Sequence, residues 1–421
     1  MRATSNEEKI ERVLLAGVHT GRRDSLADTT EESMAELAEL AKTAGAEVIA
    51  QVIQNKAELE SGTYMGEGKL EEIKEIIPGQ EIDCVIFDDE LSPVQLRNIT
   101  DLLGVKVLDR SMLILDIFAM RAKSGEGKLQ VELAQLKYRL PRLRGMGAVM
   151  SRTGAGIGTR GPGETKLETD RRHIHRRISA LEEELSELVR HRDLLRSRRK
   201  KDGVITAALV GYTNAGKSTL LNALTDAGVF AENKLFATLD PTARALTLED
   251  NRKILLVDTV GFIRKLPHHL VEAFKSTLEE AVAADLLIHV VDAANPENAQ
   301  HIQVAEQVLR EIGAGGKPEI LVYNKCDLTG EADDIPPADA VRISAKQGTG
   351  ISELIGKIAD TAPGKKQRVK VLIPYSQGAL ASRLYGEQKV LSQTHTADGT
   401  EIELLADSRT YAALRGYIIE G

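Results

Sequence analysis

Gly211-Tyr212-Thr213-Asn214-Ala215-Gly216-Lys217-Ser218, followed by Thr219, is the stretch whose reading decides the fold. It fits G-x-x-x-x-G-K-[ST]. The apolar run 205–210 before it has the length and content of a buried strand, and 219–224 after it reads as a helix. In a strand-loop-helix arrangement the glycines let the backbone curl, so that its N–H groups and the helix N-terminus face phosphate oxygens. Lys217 would then reach the outer phosphates and the Ser218 hydroxyl would ligate Mg2+.

Four further segments follow in the order a nucleotide switch needs. Asn324-Lys325-Cys326-Asp327 comes after the apolar run 320–323, at the carboxyl end of a strand, where doubly wound sheets bind ligands. The Asp327 carboxylate can accept two hydrogen bonds from a base that presents N–H and N–H2 together, which guanine does and adenine does not. An unpaired buried neutral group costs roughly 1–3 kcal/mol and a charge more, so guanine should be strongly preferred. Ser344-Ala345-Lys346, after a short strand at 341–343, would close over the base. Asp258-Thr259-Val260-Gly261 ends a strand at 253–257; its Asp would hold Mg2+ through water and its Gly261 N–H would reach the γ-phosphate. Phe236-Ala237-Thr238-Leu239-Asp240-Pro241 supplies Thr238, whose hydroxyl would complete the metal shell only with the γ-phosphate present. Alone, N-K-x-D is a common surface turn and S-A-K is nearly uninformative. Together, each at a strand end, they predict a P-loop GTPase with Lys217, Thr238 and Gly261 in catalytic roles and Ser218, Thr238 and Asp258 around Mg2+.

With these residues the chain resembles the HflX family of the Obg-HflX group of translation-factor-related GTPases. The segments that carry the resemblance are 236–242, Asp258-Thr259-Val260-Gly261-Phe262, the Gly-rich segment ending at 158–165, and Gly-Thr-Tyr-Met-Gly-Glu-Gly-Lys at 62–69. It spans nearly the whole chain, weakening from about Lys365. The resemblance implies GTP hydrolysis to GDP, docking on the large ribosomal subunit and the separation or rescue of stalled ribosomes.

The 421 residues suggest about three domains by the prior of roughly 150 residues each. The polar, acidic start is no signal peptide, and no uninterrupted apolar run approaches ~18 residues, so a cytoplasmic protein without a membrane span is expected. Cys84 and Cys326 lie in or beside strands, as reduced structural thiols do, and no Cys/His metal cluster is spaced along the chain. Net charge is −8, yet 137–177 carries eleven Lys or Arg against three acids, a local +8 that leaves −16 elsewhere.

The expected fold is α/β and multidomain. In the first part, 1–123, strands at 12–18, 47–53, 84–87 and 105–108 alternate with helices at 31–44, 69–77, 93–103 and 112–121, which predicts an N-terminal parallel α/β domain. The glycines at 62–69 do not follow a strand and lack phosphate-loop spacing; they read as a turn before a helix, or else as a loop for an unidentified ligand. In the second part, 124–202, Leu129, Leu133, Leu136, Leu140 and Leu143 face Leu167, Ile174, Ile178, Leu181, Leu185, Leu188 and Leu195 in an antiparallel helical hairpin with a basic, Gly-rich tip at 145–165. Such charges are usually a solvated linker. At the free end of a hairpin they repel each other and do nothing for the seam, so polyanion binding is favoured, and irregular RNA suits them better than a DNA groove. The predicted partner is therefore rRNA of the large subunit, by resemblance near the peptidyl-transferase region, met through 137–177. A second basic cluster, Arg192 to Lys201, is accounted for by its place at a helix C-terminus. The third part, 203–363, is the GTPase domain with a doubly wound sheet. The last, 364–421, has the order β-α-β-β-α, with its second helix at 408–417, and suggests a small α+β domain, ferredoxin-like in kind.

Two residues bear on mechanism. Phe262 stands where signalling GTPases often carry a water-orienting Gln, so unaided hydrolysis should be slow and the missing group should come from a partner or from Arg264, His268 or His269. Asn214 is a candidate K+ ligand against the phosphates, the alternative being local hydrogen bonding in the loop. Two other functions stay open: a ribosome-assembly or RNA-modification GTPase, and a regulatory switch acting on a protein partner. Nothing in the sequence calls for more than a monomer.

Overall fold

The computed structural model describes residues 10–21, 29–143, 162–225, 235–236, 238–265, 275–329, 337, 339–364, 367–406 and 408–420. The first part builds β1 (Arg12–His19), α1 (Thr30–Thr43), β2 (Glu47–Asn55), α2 (Glu67–Gly79), β3 (Cys84–Phe87), α3 (Pro93–Leu103), β4 (Lys106–Asp109) and α4 (Arg110–Arg121). The sheet runs β2-β1-β3-β4, all parallel. All of Cys-Val-Ile-Phe in β3 is buried, as expected of a parallel strand covered on both faces. Thr29 with Glu32, and Ser92 with Gln95, form capping boxes that start α1 and α3. The 62–69 segment is a structural turn into α2. Asn98 donates to the Gly62 carbonyl at 3.0 Å, Gly66 N–H to Gln54 at 2.8 Å, and the buried Tyr64 to Asp89 at 2.6 Å.

Next come α5 (Gly125–Arg142) and α6 (Pro162–Lys201), antiparallel across Leu133, Ile178 and Leu181 with Leu129, Leu136, Leu140, Ile174 and Leu185 beside them. The seam stops at Leu185. Leu188 and Leu195 are 37% and 43% exposed, because α5 begins at Gly125 and offers them nothing to pack on. The helix takes up Pro162 to Thr165 from the expected tip, whereas 144–161, including Arg144, Arg152 and Arg160, lies outside the described residues.

The third part holds β5 (Ile205–Val210), α7 (Lys217–Thr225), β6 (Thr242–Thr247), β7 (Lys253–Asp258), α8 (Lys275–Ala283), β8 (Leu286–Asp292), α9 (Asn298–Glu311), β9 (Glu319–Asn324), β10 (Val341–Arg342) and α10 (Ile351–Thr361). Strand order is β10-β9-β8-β5-β7-β6, parallel except for the edge strand β6. The last part is β11 (Gln367–Ile373), α11 (Gly378–Glu387), β12 (Lys389–His395), β13 (Thr400–Ala406), α12 (Ser408–Leu414) and β14 (Ile418–Glu420), antiparallel in the order β12-β13-β11-β14. The helix expected to reach 417 stops at Leu414, and the chain turns into β14 beside β11. That sixth element completes the ferredoxin-like β-α-β-β-α-β order.

Each α/β sheet keeps one core to itself, but their other faces share one. A continuous buried cluster joins Leu15, Ile86 and Phe118 to Tyr138 of α5 and on to Tyr212, Phe236, Val260 and Phe262. Among the described residues no helix is long and apolar enough to cross a membrane.

Candidate nucleotide site

The central strand β5 delivers the chain into the Gly211–Ser218 loop, and α7 starts at Lys217. Gly216 has φ +94°, and a Cβ there would stand 2.2 Å from Asn324 Nδ2, so both the turn and the close approach of β9 exclude a side chain. Asn214 is exposed at φ 62°. Lys217 is buried, its Nζ donating to the carbonyls of Gly211 (3.1 Å) and Tyr212 (2.8 Å). Burial pushes its pKa down to about 8.

Three oxygens meet beside it. Ser218 Oγ and Thr238 Oγ1 donate to Asp258 Oδ2 at 2.6 and 2.9 Å and lie 2.7 Å from each other. Burial raises the Asp258 pKa, and the Lys217 charge is first among the influences that oppose the rise. Asp258 Oδ1 is buried with no hydrogen-bond partner among the described residues, and so is Thr213 Oγ1. Two hydroxyls and a carboxylate with an unused oxygen suit a hard cation that takes oxygen ligands, which Mg2+ is.

On the far side, Asn324 donates to the Ala215 carbonyl at 2.8 Å and accepts from Ala345 N–H at 2.9 Å, tying the loop to both later segments. Ser344 Oγ donates to Asp327 Oδ1 at 2.6 Å, and Lys325 pairs with Asp292 at 2.7 Å. A cleft of about 500 Å3 joins these groups, running from Thr213, Lys217, Ser218 and Thr219 past Thr238, Thr259 and Gly261 to Asn324, Asp327 and Lys346. Leu328, exposed on its wall, was not among the expected residues, although it follows Asp327 directly.

Several expected residues turn their side chains elsewhere. Tyr212 stacks on His301 and hydrogen-bonds Glu36 of α1. Phe236 lines the cleft but packs edge-on against Phe118 of α4, ring centroids 4.7 Å apart. Leu239 and Val260 lie in the shared core, as does Phe262. Cys326 keeps its Sγ 3.3 Å from the Tyr323 carbonyl. Asp240 reaches the start of α5. Ala237, His268 and His269 lie outside the described residues.

Arg264 is not free to orient water. Its guanidinium, 2% exposed, pairs with Glu32 and Glu297 at 2.8 Å each and with Gln300 at 2.6 Å. Lys265 beside it pairs with Asp88 and Asp89 at the end of β3. Asp88 also accepts from Ser33 (2.7 Å) and from Arg110 (2.9 Å), whose other nitrogen meets Glu36. These contacts lock the segment after Asp258-Thr259-Val260-Gly261 onto the N-terminal sheet.

A largely parallel sheet whose central strand enters a Gly-rich G-x-x-x-x-G-K-S loop, with the Asp327 carboxylate following a strand two places away and lining the same cleft, defines a P-loop GTPase. Family models match in succession: "GTP-binding GTPase N-terminal" over 31–119, "GTP-binding GTPase Middle Region" over 121–199 and "50S ribosome-binding GTPase" over 206–325. The chain is 51% identical to the GTPase HflX of Caldanaerobacter subterraneus subsp. tengcongensis over 97% of its own length and 94% of that protein's. It is 42% identical to the GTPase HflX of Escherichia coli, over 89% of each. A GTP-binding protein from Sulfolobus solfataricus, solved with GDP, is 30% identical, aligning with 84% of this chain and 98% of that one at a TM-score of 0.44. The chain belongs to the HflX GTPase family, and it hydrolyses GTP.

Proposed function

We propose that this GTPase is a switch that binds the large ribosomal subunit and separates or rescues stalled ribosomes. The observation that carries the reading is the stem made by α5 and α6. The 40 residues of α6 span about 60 Å and the 18 of α5 about 27 Å at ~1.5 Å per residue, and the basic Gly-rich stretch of the sequence joins the end of α5 at Arg142 to the start of α6 at Pro162. Some charges of the 137–177 run serve the stem itself and its seat on the N-terminal domain. Lys137 pairs with Glu182, Arg177 with Glu132, and Arg142 lies over Tyr138 and donates to the Leu91 carbonyl. Arg172 and Arg176 are exposed on α6 and, with the expected tip charges, supply the polyanion contact.

In this reading Lys217 holds the outer phosphates, Gly261 N–H meets the γ-phosphate, Asp327 reads guanine, and Ser218, Thr238 and Asp258 hold Mg2+. When bound there, the metal would neutralise charge on the phosphates. Phe262 is buried and Arg264 committed, so the free protein hydrolyses GTP slowly until a partner completes the site. Asn214, on the cleft rim, is the proposed K+ ligand; equal rates in K+ and Na+ would remove that role. The protein is expected to act as a cytoplasmic monomer.

Sedimentation of intact ribosomes with the protein and a non-hydrolysable GTP analogue tests the function. Free subunits should accumulate, with the protein on the large one. Binding only to immature large subunits would favour an assembly factor. Binding to no ribosomal particle would favour a switch on a protein partner.

A further inference from the structure

We infer that Asp240 is a positioning residue for GTP hydrolysis. Fixed to the N-terminus of α5, it holds the segment that presents Thr238 to the metal, so the hairpin and the metal shell move together. The inference rests on Thr238 belonging to that shell.

The attachment is dense. Lys123 N–H and Ser124 N–H donate to Asp240 Oδ2 at 2.9 and 2.8 Å, and the Ser124 hydroxyl donates to Oδ1. The same hydroxyl accepts from Gly127 N–H at 2.8 Å, capping α5. Gly127 lets the helix come this close, for a Cβ there would stand 2.4 Å from Asp240 Oδ1. Upstream, Phe236 is pinned edge-on to Phe118; downstream, Thr242 pairs with Asp258 in the sheet. Thr238 lies between these anchors, its hydroxyl 2.9 Å from Asp258. Two residues of chain reach at most about 7 Å, so Asp240 and Thr238 cannot move independently by more than that slack. A load that tilts α5 from its far end would therefore reach a metal-ligating hydroxyl.

The competing account makes Asp240 a carboxylate that only complements the α5 N-terminus. Such a role would alter thermal stability and weaken both nucleotide states alike. A metal-positioning role would separate them, because Thr238 is expected to complete the metal shell only with a third phosphate present.

The test uses the full chain without ribosomes, so failure of the ribosome reading would leave it interpretable. Asp240→Asn and Gly127→Ala are compared with the parent in Mg2+ titrations of GTP hydrolysis and in affinities for GDP and a non-hydrolysable GTP analogue. Alanine is the better helix former at position 127, so that variant should stay folded, as its unfolding midpoint will show. In both variants the half-saturating Mg2+ concentration should rise about tenfold, the effect of losing one hydrogen bond to a charged group, with GDP affinity unchanged. Ser124→Thr keeps a capping hydroxyl and should behave as the parent does. An unshifted Mg2+ titration in both variants, or equal weakening of GDP and the analogue, would overturn the inference.

Discussion

Tyr212 lies flat against His301, ring centroids 3.7 Å apart and planes within 5° of parallel, so the phosphate loop touches α9 through a neutral imidazole. Burial foremost, then the Arg264 charge, lowers the His301 pKa from 6.5 to about 4, although Asp292 and Glu32 pull the other way. The unfolded chain takes up a proton below pH 6.5 while the fold resists until about 4. Stability from this site is complete above 6.5 and is lost as pH falls toward 4. His301→Phe keeps the stack and cannot titrate, so the gap between parent and variant unfolding midpoints should change across pH 4–6.5. A gap independent of pH would refute the assignment.

Arg110 is the buried counter-charge for Asp88 and Glu36. Arg110→Met would leave both carboxylates in place with one cation fewer, and breaking a buried pair from one side costs about 3–5 kcal/mol. Urea unfolding should show a loss of that order. A change below about 1 kcal/mol would mean that Lys265 and Ser33 suffice for Asp88.

Asp327, held by Ser344, is predicted to pair with guanine. Asp327→Asn should shift preference from GTP toward xanthosine triphosphate with the fold intact. Affinities for the two nucleotides decide it, and an unchanged preference would place base recognition elsewhere.

Arg172→Ser with Arg176→Ser removes two exposed charges from α6 without touching its seam. Affinity for the large subunit should drop, and its salt dependence should flatten by up to roughly 0.7–0.9 per lost phosphate contact. GTP hydrolysis by the free protein should not change. Parent-like ribosome binding would make these charges a solvated face.

Much of this was legible because local chemistry writes it into sequence. Strand β3 and helix α3 stand at the expected 84–87 and 93–103. Ser218, Thr238 and Asp258 converge because Ser218 follows β5, Asp258 ends β7 and Thr238 leads into β6, three adjacent strands of one sheet. The edge strand β6 escaped notice since four of its six residues are exposed and show no clean alternation. Strand β14 is only three residues long. The pairings that fix the site's surroundings were beyond reach. Tyr212 meets Glu36 across 176 residues and Arg264 meets Glu32 across 232, and a charged residue on a helix face gives no sign of which distant partner will cover it.

The buried cluster that joins Phe118 and Tyr138 to Phe236, Val260 and Phe262 decides how this molecule can be divided. Severing the chain near Gly203 would bare those rings and their neighbours on both fragments, giving each an adhesive patch that soluble monomers avoid. The catalytic portion is thus no detachable module. Evolution could lengthen the stem or exchange the ferredoxin-like tail, whose core around Val371 and Ile402 stands apart, far more easily than it could pare away the first hundred residues.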